Sequence, residues 1–251
     1  EVWRAEARAG GALGGRVVKV SVSQSGRFDG PERGPLWGLG DDDEVLVRPP
    51  ETHMRLADLL ALLRAETREA FYLEYNALHQ YLGEELRAMA PAPADAAGLR
   101  PLVQNVWLGK GGTASPLHYD DYENLLAQVR GTKELLLFPP ADHRNLYYTA
   151  RAKGTLRYRW PDTWERPAIE GDAREAKVVF GSSVDLSNPD LGRHPRLEKA
   201  TAYRVSLREG ETLYLPAFWH HEVRSAPAGA GGVNVAVNFW FKNCSAPPEG
   251  M

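Results

Sequence analysis

Apolar and polar residues alternate along Arg16-Val-Val-Lys-Val-Ser-Val-Ser, with valine at every second place, and this predicts a strand. After Pro49-Pro50 the period changes. Leu56, Leu59, Leu60 and Leu63 recur at helical spacing, so residues 54–64 are predicted to form a short amphipathic helix. Phe71-Tyr-Leu-Glu-Tyr predicts another strand, and residues 77–89 a second helix, stopped by Pro91 and Pro93. From residue 102 short strands follow one another closely, at 102–108, 117–120, 124–129 and 134–138, with Gly131 placed for a hairpin turn. Strands return at 202–207, 212–215, 221–224 and 232–241, punctuated by Gly210 and by the glycines at 229–232. Between them, residues 141–200 are rich in charge and carry Pro161, Pro167, Pro189 and Pro195, which predicts an irregular insertion with a turn of helix at most. The pattern as a whole predicts a mainly β chain with N-terminal helices and an antiparallel sandwich or barrel of the jelly-roll type. Residues 1–101 are expected to form a strand and helix segment that packs on a core spanning 102–251. The glycine-rich stretch at 10–15 is expected to be a flexible lead-in, and the acidic run at 41–44 a solvated loop.

Composition narrows the function classes. The 251 residues, 43% hydrophobic and 25% charged, suffice for one sizeable core and one or two domains. The net charge of -3 and a pI near 6.2 weigh against nucleic acid or an anionic membrane as partner. A single cysteine, Cys244, excludes an internal disulfide and Cys-rich zinc sites, and suits a reducing compartment. No apolar run approaches the roughly 18 residues of a membrane span. The start, Glu1-Val-Trp-Arg, has neither a Met nor a signal-peptide apolar region and reads as a trimmed start, which leaves an upstream targeting segment undecided. A cytoplasmic or nuclear location is the expectation.

His118-Tyr-Asp120 places two metal-ligand types two residues apart, on one face of a strand. About one such His-x-Asp/Glu is expected by chance, and a second occurs at His220-His221-Glu222. Context separates the two. The first lies in a strand-rich region near Trp107 and Leu125-Leu126, and a third ligand is available 101 residues beyond Asp120, in Leu213-Tyr-Leu-Pro-Ala-Phe-Trp-His-His. Two imidazoles and one carboxylate form the facial set of non-haem Fe(II) oxygenases, which leaves three positions open. A zinc hydrolase is the competing metal reading. Gly109-Lys-Gly-Gly-Thr-Ala114 matches a dinucleotide fingerprint, but Ser115-Pro-Leu-His reads as a strand where a helix is required, so that reading fails. Asn243-Cys-Ser245 has the form of a glycosylation sequon and is taken as coincidence.

Thr113-Ala-Ser-Pro-Leu-His-Tyr-Asp-Asp-Tyr-Glu-Asn-Leu-Leu-Ala-Gln-Val-Arg-Gly-Thr-Lys133 resembles the core of the Jumonji C (cupin-like) 2-oxoglutarate oxygenases. So does Gly210-Glu-Thr-Leu-Tyr-Leu-Pro216-Ala-Phe-Trp-His-His221, followed by Val237-Asn238-Phe-Trp240. The likeness covers 102–140 and 201–242 well, and is strongest to the small protein hydroxylases of the factor-inhibiting-HIF and JmjC-domain-containing protein 7 type. It implies a double-stranded β-helix that uses Fe(II), 2-oxoglutarate and O₂ to hydroxylate a protein side chain on carbon. It implies iron ligands at His118, Asp120 and a distal His five residues after Pro216, which is His221 and not His220. The family usually has an aromatic where His220 stands. The resemblance further implies that Lys133 pairs with the distal carboxylate of 2-oxoglutarate. Ser115 would assist as a hydroxyl donor, and Asn124, Asn238 and, more loosely, Tyr72 would lie nearby. Trp240 is expected to pack beside the site. Lysine or arginine demethylation, RNA modification and a non-catalytic cupin-like binding module share the same core. The chain ends about ten residues after Trp240, so the likeness gives no C-terminal dimerising helix pair and a monomer is favoured. Tyr147, Tyr148, Tyr158, Trp160 and Trp164, interleaved with charges in the insertion, are expected in part to rim the site and grip a polypeptide.

Overall fold

A computed structural model of the chain describes residues 14–77, 101–169, 178–229 and 232–242. Two antiparallel sheets face each other. The smaller holds β14 (Tyr203–Leu207), β9 (Thr132–Phe138), β16 (His220–Ala226) and β7 (Thr113–Tyr119), in that order. The larger has seven strands, in the order β15 (Thr212–Leu215), β8 (Glu123–Arg130), β17 (Asn234–Phe241), β6 (Val103–Gly109), β5 (Ala70–Ala77), β1 (Val17–Ser23) and β4 (Glu51–Arg55). This is the jelly-roll core that the hydrophobic pattern predicts. Gly131, at φ 79°, makes the turn from β8 in one sheet to β9 in the other. A side chain there would meet the Ala226 carbonyl at 2.6 Å, so glycine is required on two counts.

Alternation along the strands builds two apolar layers. Leu126, Leu135, Leu137, Leu207, Leu215 and Ala236 are buried between the sheets. Val18, Val20, Val22, Phe71, Leu73, Val106, Leu108, Val235, Val237 and Phe239 join Leu59 and Leu63 in the other layer. Leu59 and Leu63 belong to the helix α1 (Leu56–Arg64), are essentially inaccessible, and contribute about 1.5–3 kcal/mol each by burial. A further sheet orders β13 (Val178–Ser182), β10 (Tyr148–Thr155), β3 (Glu44–Arg48) and β2 (Gly30–Arg33), with β10 and β3 parallel. It joins the insertion to the N-terminal segment around Trp37, Val45, Val47 and Ala152.

Several expectations need correction. The insertion is not irregular: it contributes β10, β13 and a hairpin of β11 (Arg157–Arg159) and β12 (Thr163–Glu165). These strands are legible only with their partners, since β10 has few apolar residues and pairs with β3 a hundred residues earlier. Strands β2, β3 and β4 also precede the helix, which begins at Leu56 because Met54 still pairs with Val18 in the sheet. Among the described residues α1 is the single α-helix, so N-terminal helices in the plural are not observed. Apart from Ala77, which ends β5, the second expected helix lies outside the described residues, as do most of 10–15 and the Asn243-Cys244-Ser245 triplet. No helix among the described residues is long and apolar enough to cross a membrane.

Candidate metal and cosubstrate site

Strands β7 and β16 are neighbours, and His118 pairs directly opposite His221. The register then slips. Glu222 alone faces Pro116 and Leu117, after which Val223 pairs with Ser115. Proline has no N–H to give to a ladder, which suits it to such a bulge. The extra residue re-aims the strand, so Ser115 and His118, three apart, border one cavity. Asp120 lies just past the end of β7, where its carbonyl accepts the Phe218 N–H at 2.8 Å. The ligand atoms of His118, Asp120 and His221 all lie within 4.8 Å of one another. Nε2 of His221 is 3.7 Å from Oδ2 of Asp120, and the two imidazole rings are 4.2 Å apart.

The tautomers follow from the neighbours. Nδ1 of His118 lies 2.7 Å from the Pro116 carbonyl, and Nδ1 of His221 lies 3.0 Å from the Trp219 carbonyl. A carbonyl only accepts, so each Nδ1 carries the proton and each Nε2 keeps its lone pair for a metal. Burial, then the neighbouring His118, lowers the His221 pKa to about 4 against the pull of Asp120. His221 is therefore neutral near pH 7, the form that ligates. His220 points away from this group. It is fully buried against Tyr119, His143 and Tyr148.

The cavity encloses about 540 Å³, its open mouth included, and Lys133 borders it together with His118, Asp120 and His221. Lys133 is 3% exposed, and its Nζ donates to Ser225 Oγ at 2.8 Å. No carboxylate among the described residues pairs with it, and burial lowers its pKa to about 7. The ring of Tyr72 lies 5.9 Å from the same Nζ. Tyr72 fits against the bare face of Gly109, where a Cβ would come within 2.9 Å of the ring. Trp107 Nε1 donates to Asn238 Oδ1 at 2.9 Å, and Asn238 Nδ2 donates to Asn124 Oδ1 at 3.3 Å, so the two buried amides hold each other in one orientation. Leu126, Leu135, Leu215 and Val223 complete an apolar lining, with Trp107 and Trp240 as aromatic walls.

The structure thus brings His118, Asp120, His221, Lys133, Ser115, Asn124, Asn238 and Tyr72 to one cavity. Two neighbours were missed. One is Ser225, whose hydroxyl accepts from Lys133 Nζ, while Ser115 borders the same cavity as Lys133. The signal was available, since 221, 223 and 225 alternate on one face of β16. Tyr75 also borders the cavity, because β5 bulges between Leu73 and Asn76 and Tyr75 adopts φ 51°. The aromatic hairpin of the insertion is elsewhere. The rings of Tyr158 and Trp164 lie 4.8 Å apart, tilted by 45°, and pack on the layer of Phe71 and Leu63, with Trp160 6.0 Å from Phe71. Phe71 and Tyr72 are adjacent on a strand and point to opposite faces, so a hairpin seated on Phe71 cannot rim the cavity that Tyr72 borders. No residue of 141–200 lines that cavity among the described residues.

Comparison with known proteins agrees with this geometry. A family profile described as a cupin-like domain matches residues 1–246. The human bifunctional peptidase and (3S)-lysyl hydroxylase JMJD7 is 31% identical over 237 residues, which cover 91% of this chain and 69% of that protein. The lysine-specific demethylase JMJ32 of Arabidopsis thaliana is 33% identical over 259 residues, covering 96% of this chain and 71% of that protein. Jumonji C domain-containing protein 5 of Drosophila melanogaster is 34% identical over 137 residues, covering 54% of this chain and 27% of that protein.

Proposed function

We infer, from the premise that this chain belongs to the cupin-like family of Jumonji C oxygenases, that it is a 2-oxoglutarate-dependent dioxygenase that hydroxylates a protein side chain on carbon. The observation that carries this is one cavity with a His118, Asp120, His221 group and an uncompensated buried cation, Lys133. The donor set fits Fe(II): two imidazoles with Nε2 free and one carboxylate, on three adjacent positions. Bound there, Fe(II) supplies activation of O₂ coupled to decarboxylation of 2-oxoglutarate to succinate and CO₂.

The chain's own residues do the rest. Lys133 neutralises the distal carboxylate of the cosubstrate, and Ser225 and Tyr72 hold that end by hydrogen bonds. Ser115, Asn124 and Asn238 border the cosubstrate's flank. The apolar lining keeps bulk water from the reacting centre. Tyr72 and Tyr75 come from the 1–101 segment, which therefore serves the site as well as packing on the core. The name of the human relative makes a lysyl side chain the first candidate target.

The test is a peptide screen with Fe(II), 2-oxoglutarate and O₂, read for succinate and for a one-oxygen mass gain on the peptide. Formaldehyde release from a methylated peptide, with no retained oxygen, would assign demethylation instead. Absence of succinate from protein that binds Fe(II) would leave a non-catalytic binding module.

A further inference from the structure

Lys133 is the one buried lysine among the described residues, and a role as counter-charge occupies it only while a dicarboxylate is bound. Its Nζ donates to Ser225 Oγ at 2.8 Å, and no carboxylate among the described residues pairs with it. The other described lysines are half-buried or exposed. Lys19 pairs with Glu51 at 2.8 Å, and Lys110 donates to the Ala65 carbonyl at 2.7 Å. A buried ammonium without a counter-charge is relieved by giving up its proton, because burial penalises the charged form and not the amine. A desolvated amine of this kind is a nucleophile.

The space beside that amine suits a small electrophile. Lys133 borders the cavity of about 540 Å³ in company with Leu126, Leu135, Leu215 and Val223, an apolar wall that favours an uncharged molecule over an ion. Hydroxyls stand round the same spot. Ser225 is bonded to Nζ, the Tyr72 hydroxyl is within hydrogen-bond reach of Ser225, and Ser115 borders the cavity. An uncharged amine that meets CO₂ forms a carbamate, and decarboxylation of 2-oxoglutarate releases CO₂ into this cavity.

We propose that Lys133 is a carbamylation site, at which CO₂ adds to the free amine when no dicarboxylate is bound and bars 2-oxoglutarate until it is lost again. The Nζ lone pair forms the N–C bond, one C–O π pair of CO₂ moves onto oxygen, and one N–H proton leaves to solvent through the cavity mouth. No electron is transferred. The hydroxyls of Ser225, Tyr72 and Ser115 donate to the carbamate oxygens. The adduct puts an anion in place of the cation that the distal carboxylate of the cosubstrate needs, so the two exclude each other by charge and by space. Surface lysines are almost wholly protonated at neutral pH, whereas Lys133, with its pKa lowered to about 7, offers roughly a thousandfold more free amine. The site of modification stands on Lys133 and its cavity, while the supply of CO₂ by turnover rests on the dioxygenase reading.

The experiment takes the full chain, loaded with Fe(II) in the absence of oxygen, in neutral buffer held at constant pH with and without isotopically labelled CO₂ and bicarbonate. Triethyloxonium ion converts a carbamate to its stable ethyl ester, and peptide mass mapping then locates it. The ester is expected on Lys133, heavier by the isotope, absent from surface lysines, and suppressed when 2-oxoglutarate is added first. The apparent Kd for 2-oxoglutarate should rise about twofold when half of the chains carry the adduct, since only the unmodified half can bind. Lys133→Arg keeps its charge and offers no free amine, so its Kd should not respond to CO₂. No ester on Lys133 in the unaltered chain overturns the proposal. So does an ester spread equally over surface lysines, or a 2-oxoglutarate Kd that ignores CO₂ while the ester forms. A chain that forms the ester on Lys133 but makes no succinate overturns the dioxygenase reading and leaves the modification standing.

Discussion

Lys133 offers the sharpest quantitative test of the site. In the free protein its ammonium is buried with one hydroxyl, that of Ser225, as partner, and its pKa falls to about 7. A bound dicarboxylate supplies the missing counter-charge and restores the protonated form. Above pH 7, binding of 2-oxoglutarate must therefore take up a proton. The charged fraction of Lys133 falls from roughly three quarters at about pH 6.5 to about 3% at about pH 8.5. Cosubstrate affinity should weaken over that interval by about 25-fold, or ~1.9 kcal/mol. The assay is titration calorimetry on Mn(II)-loaded protein in buffers of different ionisation heat, which counts protons directly. Close to one proton per site is expected at the upper pH and roughly a quarter of one at the lower. Lys133→Arg keeps its charge throughout, so it should flatten the pH dependence and serves to subtract titration of the metal ligands. Equal affinity at both pH values and no proton uptake in the unaltered protein would refute the reasoning. The same shift bears on folding. Unfolded, Lys133 titrates near its ordinary 10.5, so between pH 7 and pH 10.5 the unfolded chain binds more protons than the folded one. Stability without cosubstrate should rise with pH across that window. Lys133→Met, at pH 7, should be more stable by on the order of 1–4 kcal/mol while losing cosubstrate affinity.

Three further outcomes follow from the packing. Gly131→Ala combines a left-handed backbone with a 2.6 Å approach to the Ala226 carbonyl. It should cost about 1–3 kcal/mol from the backbone alone, read as a melting point lower by roughly 2–4 °C for each kcal/mol; an unchanged melting point would mean the turn relaxes freely. Gly109→Ala puts a Cβ 2.9 Å from the Tyr72 ring and should raise the 2-oxoglutarate Kd by roughly tenfold, with melting within a few degrees of the parent. An unchanged Kd would remove Tyr72 from the cosubstrate contacts. Trp164→Ala removes a ring from the layer that holds Phe71, and should lower stability by about 1–3 kcal/mol. Its ratio of peptide hydroxylation to succinate should stay constant, and a fall in that ratio without loss of stability would return the hairpin to the substrate path.

Sequence patterning revealed the metal group more readily than the walls around it, and the reason is physical. Iron ligands are fixed by residue type, and their spacing on strands follows from alternation, so His118, Asp120 and His221 can be picked out of a chain. Burial of a charge is set by partners distant in sequence. Arg151 in β10 is 6% exposed because Glu44 pairs with it at 2.9 Å and the Gly181 carbonyl also accepts from it. Nothing local to Tyr148-Thr-Ala-Arg-Ala-Lys distinguishes that residue from a solvated arginine, so the pattern alone predicts a loop where the fold has a strand.

The two bulges carry the argument one step further. Strict alternation would send Ser115 and His118, or Tyr72 and Tyr75, to opposite faces of their strands, because each pair is three residues apart. In both strands a register slip, between His221 and Val223 opposite β7 and between Leu73 and Asn76 in β5, restores them to one face. The cavity is therefore built where the β period fails. Pro116 announces one failure, since a proline in mid-strand cannot complete the ladder. It also provides the carbonyl that fixes the His118 tautomer. No residue announces the other. Tyr75 takes a left-handed backbone that aromatic residues seldom adopt, held by ring contacts to Trp107 at 5.0 Å and to the Arg48 guanidinium at 5.8 Å. A wall made by an unfavourable backbone conformation and paid for by neighbours from other strands has no local signature, and so Tyr75 entered the site only with the fold.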